Sequence, residues 1–183
     1  YQDELGAVWL GTTEGLNRYN GKDVKVFQPS ESNHGLTNNE INELCGDKNG
    51  RMYIRSGNDL IKLDIYTEQF TCLRQKGVYG LFCKKDTLWV SCADGIYYYT
   101  GQGTELTFFA RVQKGFVGRA LYVDKETVWV VTRKYLVAIS REDPLRQEIL
   151  LTLDKGNCIL GDSSGNIWVG AWNGLYRISP NRE

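Results

Sequence analysis

The sequence predicts an all-β fold of β-propeller blades, each a sheet of four antiparallel strands, on three observations. An aromatic residue between aliphatic neighbours recurs about every forty residues: Val8-Trp9-Leu10, Met52-Tyr53-Ile54, Leu88-Trp89-Val90, Val128-Trp129-Val130 and Ile167-Trp168-Val169. Turn residues recur at fixed offsets around that aromatic. The composition, with 5 Trp, 11 Tyr, 6 Phe, 20 Gly and only 3 Pro, favours strands joined by glycine turns over helices.

Each element of the repeat has its own signal. Ahead of the aromatic stand Asp3 and Gly6, Asp47 and Gly50, and Asp162 and Gly165. This Asp-x-x-Gly pattern is a hairpin turn, with the aspartate bonding the turn backbone and the glycine taking positive φ. The aromatic strand that follows is almost continuously apolar, as in 127–132, which fits a sheet covered on both faces. Beyond it Gly15, Gly95 and Gly174, with Asp59 and Tyr135 as departures, open a third strand through Leu16, Leu60, Ile96, Leu136 or Leu175. A fourth strand falls at 24–27, 70–73, 106–109 and 149–151. An inner strand precedes the aromatic one at 41–45, 78–83, 120–123 and 158–160. Four short strands per repeat is the pattern of a propeller blade.

The repeats span 1–37, 38–76, 77–116, 117–155 and 156–183, about 4.5 blades. The first lacks its inner strand and the fifth its outer one, leaving eighteen strands. A seven-bladed ring needs about 280 residues. The 183 residues here therefore read as a fragment of a larger propeller that does not close as a five-bladed ring. The start at Tyr1, without a charged-then-apolar leader, reads as a processed or excised segment.

Lys+Arg and Asp+Glu both number 22, with a net charge of zero and no basic block, which argues against nucleic acid or an anionic membrane surface as partner. No apolar run approaches a membrane span. A single histidine, His34, excludes metal triads and nucleophile–base pairs built on two or more histidines, so neither metal nor other cofactor is expected and the chain reads as a binder rather than an enzyme. The five cysteines, Cys45, Cys72, Cys83, Cys92 and Cys158, show no Cys-x-x-Cys pair. In their apolar strand-like runs they read as small buried hydrophobes. One disulfide, whose connectivity sequence alone does not give, or a reactive thiol are the alternatives.

The stretch Asp162-Ser163-Ser164-Gly165-Asn166-Ile167-Trp168-Val169-Gly170 through Gly174-Leu175-Tyr176, its counterpart from Asp3 to Tyr19, and the lead-in Gly35-Leu36-Thr37-Asn38-Asn39-Glu40-Ile41 resemble the two-component regulator propeller repeat. The likeness is strongest in the first and fifth repeats and weakest in the fourth. It implies the periplasmic sensor region of a hybrid two-component system of the Bacteroides type, whose receptors sense oligosaccharides released from glycans. The expected partners are an oligosaccharide and either a second copy or the remaining blades. No ligand-binding residue transfers from the repeat, since its fixed residues build the blade.

Candidate binding residues are therefore sought where the repeat is broken. Connections from the outer strand to the next inner strand, and from second to third strand, emerge on one face. There the chain places Trp172 and Asn173, the Arg133-Lys134-Tyr135 turn and His34 in the loop 28–38. Loops on a rigid scaffold are where recognition evolves. Trp172, Asn173, Arg133, Lys134 and His34 are the expected contacts of a glycan-derived ligand. The alternatives are a scaffold for protein interaction or dimerisation and a propeller lyase or hydrolase, the last disfavoured by the single histidine.

Overall fold

The computed structural model describes residues 1–29, 35–47 and 49–180. Among them eighteen strands form five antiparallel sheets. The first sheet holds β1 (Val8–Thr12), β2 (Gly15–Tyr19) and β3 (Val24–Phe27). The second holds β4 (Ile41–Gly46), β5 (Arg51–Ser56), β6 (Asp59–Asp64) and β7 (Gln69–Arg74). The third is β8 (Val78–Lys84), β9 (Thr87–Cys92), β10 (Gly95–Tyr99) and β11 (Thr107–Ala110). The fourth is β12 (Gly118–Val123), β13 (Thr127–Thr132), β14 (Tyr135–Ser140) and β15 (Gln147–Thr152). The fifth is β16 (Cys158–Gly161), β17 (Ile167–Ala171) and β18 (Gly174–Ile178). Among the described residues the helical content is one 3₁₀ turn, Gln113–Gly115. This is the expected blade architecture, with strands paired in simple meander order.

Successive blades meet through their inner strands, β8 against β4, β12 against β8 and β16 against β12, while in the first blade the aromatic strand β1 lies against β4. The series does not close. Leu10, Val24 and Val26 lie exposed on the first blade, and Leu160 and Leu175 on the fifth, the two faces that neighbouring blades would cover in a ring.

The second-strand aromatic of each blade points at the blade that follows. Trp9 packs with Met52, Ile54, Ile61 and Leu63, and Tyr53 with Leu81, Leu88 and Val90. Trp89 joins Leu121, Val128 and Val130, and Trp129 joins Ile167 and Val169. These four are buried. Trp168 is only half-buried, because among the described residues no sheet lies in front of it.

The turn aspartate turns out to hold this aromatic as well as its own turn. Asp3 accepts the N–H groups of Leu5 and Ala7 on Oδ1 at 3.0 and 2.9 Å, and the indole N–H of Trp9 on Oδ2 at 2.7 Å. Asp162 repeats the arrangement with Ser164, Asn166 and the indole of Trp168 at 2.9 Å. These bonds pull its carboxyl down to about 2, the indole contributing most. Asp47 accepts the hydroxyl of Tyr53 at 3.4 Å and Arg51 Nε at 2.6 Å. The fourth blade has the same device in a turn shorter by one residue, where Asp124 accepts the Trp129 indole at 2.6 Å. In the third blade Trp89 instead lies against Tyr98, Phe109 and the Arg141 guanidinium, with centroid distances of 5.6, 5.1 and 5.6 Å.

The third-strand glycines answer to the fourth strand. A Cβ on Gly15 would stand 2.5 Å from the carbonyl oxygen of Phe27, and one on Gly95 2.7 Å from that of Ala110. Gly174, in the blade with three described strands, has nothing within 4 Å. The cysteines depart in part from the expected burial. Cys92 is buried and Cys45, Cys72 and Cys83 are half-buried, but Cys158 is exposed, on the fifth blade's uncovered face.

On the inner strand β4, Glu43 reaches across to the next blade and accepts the N–H of Leu81 at 3.1 Å, with Arg55 Nε at 3.4 Å on the same oxygen. Burial outweighs both contacts and pushes the carboxyl up to about 6.

Two expectations follow for stability. Trp9→Ala should cost about 3–5 kcal/mol in urea unfolding, and Trp168→Ala clearly less, since that ring is only half-buried; equal costs would contradict the blade-facing register. Because Glu43 titrates above its ordinary value of 4.5, its contribution is fully present below pH 4.5 and is lost as the pH rises through about 6. The stability of the native chain should therefore fall relative to Glu43→Gln across that window, and parallel curves would show that burial of the carboxyl is not felt.

Candidate functional site

The face that carries the second-to-third-strand turns and the blade crossovers is built from backbone constraints upward. Thr132 ends β13 and organises the next turn: its hydroxyl donates to the carbonyl of Tyr135 at 3.0 Å and accepts the N–H groups of Lys134 and Tyr135 at 3.2 and 2.8 Å. Thr12 makes the same hydroxyl-to-carbonyl bond to Gly15 at 2.9 Å. Arg133 and Lys134 are thereby presented at the tip of a fixed hairpin, both exposed.

Inner strands open on this face with a bulge. The register slips between Ile41 and Glu43, between Val78 and Gly80, and between Gly118 and Ala120, which makes Asn42, Tyr79 and Arg119 the extra residues. A bulge re-aims a side chain at the rim of a sheet. Tyr79 and Arg119 here join Gly115, Phe116, Val117, Thr132, Arg133 and Lys134 around a pocket of about 360 Å³ at the junction of the third and fourth blades. Phe116 rests on the ring of Tyr135 at 4.9 Å. The lining thus pairs aromatic rings with three cations and contains no carboxylate. Among the described residues none of the three has an ion-pair partner.

Trp172 and Asn173 form the corresponding tip in the fifth blade and clasp the crossover that precedes it. The N–H of Trp172 donates to Asp154 O at 2.9 Å. Asn173 accepts the N–H of Asp154 at 3.2 Å and donates to the Tyr176 hydroxyl at 2.6 Å. The same crossover is bonded from the other side, by Leu153 N–H to Lys134 O at 2.7 Å and Gly156 N–H to Arg133 O at 3.1 Å. The two expected turns are therefore joined through one short backbone segment, while among the described residues no hydrogen bond or ion pair links their side chains directly. Trp172 stays 76% exposed, with the ammonium of Lys155 over its ring at 3.8 Å. Asn173 is occupied by its clasping bonds. His34 lies outside the described residues.

Sequence reasoning missed Tyr79, Phe116, Arg119 and Lys155. One signal was available, since Lys76-Gly77, Lys114-Gly115 and Lys155-Gly156 stand in three successive crossovers. All three lysines adopt positive φ, 64°, 58° and 49°, so each crossover turns sharply and exposes a cation on the same face. Tyr79 and Arg119 had no such mark, because a bulge residue reads like any other strand residue.

The opposite face, with the Asp-x-x-Gly turns, holds a larger cleft of about 690 Å³ between the loops of the fourth blade. Its lining alternates Lys125, Arg141 and Arg146 with Glu126, Glu142 and Glu148, and the Arg141 guanidinium is spent on the carbonyls of Asp124 and Lys125 at 3.0 Å. Among the described residues no group of three His, Cys, Asp or Glu side chains is placed to hold a metal, and no helix is long and apolar enough to cross a membrane.

No family model matches the chain, and no curated protein matches it in sequence. Among solved structures it is similar to the extracellular domain of a hybrid two component system of Bacteroides thetaiotaomicron, at 22% identity and a TM-score of 0.84 over 99% of this chain. A second such domain from the same organism matches at 21% and 0.76 over 99%. The chain spans 28% and 26% of those two structures. A streptogramin B lyase matches at 17% identity and a TM-score of 0.74, over 100% of this chain and 65% of that one. At these identities the likeness is one of fold, and by fold the chain is an open arc of β-propeller blades.

Proposed function

We propose that the chain is part of the periplasmic sensor region of a hybrid two-component receptor and that it binds a glycan-derived ligand, or passes on its binding, at the face just described. The observation that carries this reading is the gathering of non-repeating side chains there, around the pocket between the third and fourth blades and along the crossover that ties Arg133 and Lys134 to Trp172. The fold likeness to extracellular domains of hybrid two component systems supports the receptor setting.

The chemistry of the face suits a sugar. Aromatic rings such as Phe116, Tyr79 and the exposed Trp172 offer flat apolar surface to the C–H face of a pyranose. Guanidinium and ammonium groups donate to hydroxyl oxygens and pair more strongly with carboxylate or sulfate substituents. A pocket of about 360 Å³ is of the size that holds one or two sugar rings. This reading is non-catalytic: the side chains are arranged to donate and to stack, and no acid and base pair faces the pocket. The exposed apolar faces of the first and fifth blades support a second role, contact with further blades of the receptor or with a second copy.

Titration of the chain with a panel of neutral and anionic oligosaccharides, followed by tryptophan fluorescence, tests the reading. One member of the panel should shift the emission, since Trp172 is exposed. The double variant Trp172→Ala and Arg133→Ala should weaken that response at least tenfold while leaving Tm within about 2 °C, because exposed tip residues away from the core change stability little. An unaltered response, or a collapse of Tm, would assign these residues to the scaffold.

A further inference from the structure

We propose that Cys45 and Cys83 are a disulfide-forming pair that locks the second blade to the third beside the propeller axis. Cys45 lies on β4 and Cys83 on β8, the inner strands of adjacent blades, and their Sγ atoms are 2.7 Å apart. The pairing is set by strand register. Two residues earlier on the same strands, Glu43 bonds the N–H of Leu81 at 3.1 Å. Side chains alternate along a strand, so positions 45 and 83 face each other one step further along the same seam. Among the described residues this is the one pair of thiols in contact. At the next junction the space between inner strands is filled by rings, Phe82 edge-on to Tyr122 at 5.2 Å, so the thiols of the second junction stand where another junction uses apolar packing.

The chemistry is a two-electron exchange with a disulfide oxidant, either a small disulfide such as oxidised glutathione or a dithiol–disulfide oxidoreductase. One cysteine thiolate attacks the oxidant, forms a mixed disulfide and releases one oxidant thiolate. The second cysteine thiolate then displaces the remaining oxidant sulfur, leaving the Cys45–Cys83 bond. Two protein thiols are oxidised, one oxidant disulfide is reduced to two thiols, and the two protons lost by the cysteines end on those thiols. Burial between the blades pushes the Cys45 thiol up, which keeps its thiolate fraction low and makes attack slow in the folded chain. The bond therefore forms most readily while the two blades are still docking. The cross-link spans a single blade repeat, joining inner strands that are otherwise held by side-chain packing and by the bond from the Leu81 N–H to Glu43. This inference does not depend on the ligand reading.

The test uses the chain itself. After refolding from denaturant in oxidised and reduced glutathione, the protein is denatured again without reduction, its free thiols are alkylated, and its peptides are mapped by mass spectrometry. The expected result is alkylation of Cys72, Cys92 and Cys158 with a cross-linked peptide pair containing residues 45 and 83; alkylation of all five cysteines, or a link through another pair, would overturn the proposal. Adding a reductant to the oxidised protein should lower Tm by about 10 °C, as expected for closing a loop of this length in a chain of this size. That drop should vanish in the Cys45→Ala and Cys83→Ala double variant, and a drop of equal size there would also overturn the proposal. Because the thiol count is made on the unaltered sequence, it decides the matter even if the variant fails to fold.

Discussion

The bond between a turn carboxylate and the aromatic residue of the second strand organises this fold. A blade is a thin sheet whose two faces are both apolar, so it is stable only against a neighbour, and the largest side chain it offers that neighbour is a tryptophan or tyrosine. A buried indole N–H needs an acceptor. The aspartate that closes the first hairpin supplies it, with one oxygen given to the turn and the other to the ring, at Asp3, Asp124 and Asp162. Asp47 does the same for Tyr53 and adds Arg51. The carboxylate thus couples the geometry of the hairpin to the angle at which the ring enters the next blade.

This coupling divides the two faces of the arc. On one, the turn aspartates of the first, second, fourth and fifth blades are each committed to a ring. On the other, the second-to-third-strand tips need only a hydroxyl such as Thr12 or Thr132 to hold their backbone, and their outer residues are free to differ from blade to blade. Thr13-Glu14, Asn58, Ala93-Asp94, Arg133-Lys134 and Trp172-Asn173 occupy equivalent tips with no shared chemistry. A surface on which rigid backbone presents unlike side chains is the physical condition for recognising an asymmetric ligand.

The sequence disclosed the strands because the pattern that marks them is the pattern that stabilises them. The blade-forming aromatics and the apolar residues flanking them are both the periodic signal and the core. What was hidden is equally physical. Asp124 escaped the Asp-x-x-Gly pattern because its turn is one residue shorter, which moves the carboxylate along the chain without moving it in space. Trp168 reads like the other aromatics, yet its burial depends on a neighbour that periodicity does not report. Tyr79 and Arg119 owe their position on the candidate face to bulges, which shift register by one residue and leave no compositional mark. Trp172, Arg133 and Lys134 were legible as breaks in the repeat. That Asn173 clasps a crossover was not legible, since a turn asparagine looks the same whether its amide is free or engaged.

Any signal from the candidate face has to travel through the junctions between blades. Within a blade every strand is hydrogen-bonded to its neighbours, so a ligand has little to move there. Across a junction the joints are individual side-chain bonds, among them Glu43 to the N–H of Leu81 and Arg74 to Asp94 at the second, and Ser91 to Gly118 O and Lys84 to Val123 O at the third, at 2.9 and 2.7 Å. A ligand shifts an arrangement only by its difference in affinity for the alternatives. A pocket that spans the third junction, with Tyr79 on one inner strand and Arg119 on the next, is placed where such a difference can arise. The second junction is the contrasting case, because a bond between Cys45 and Cys83 would remove its freedom altogether and leave the third as the softer joint beside it.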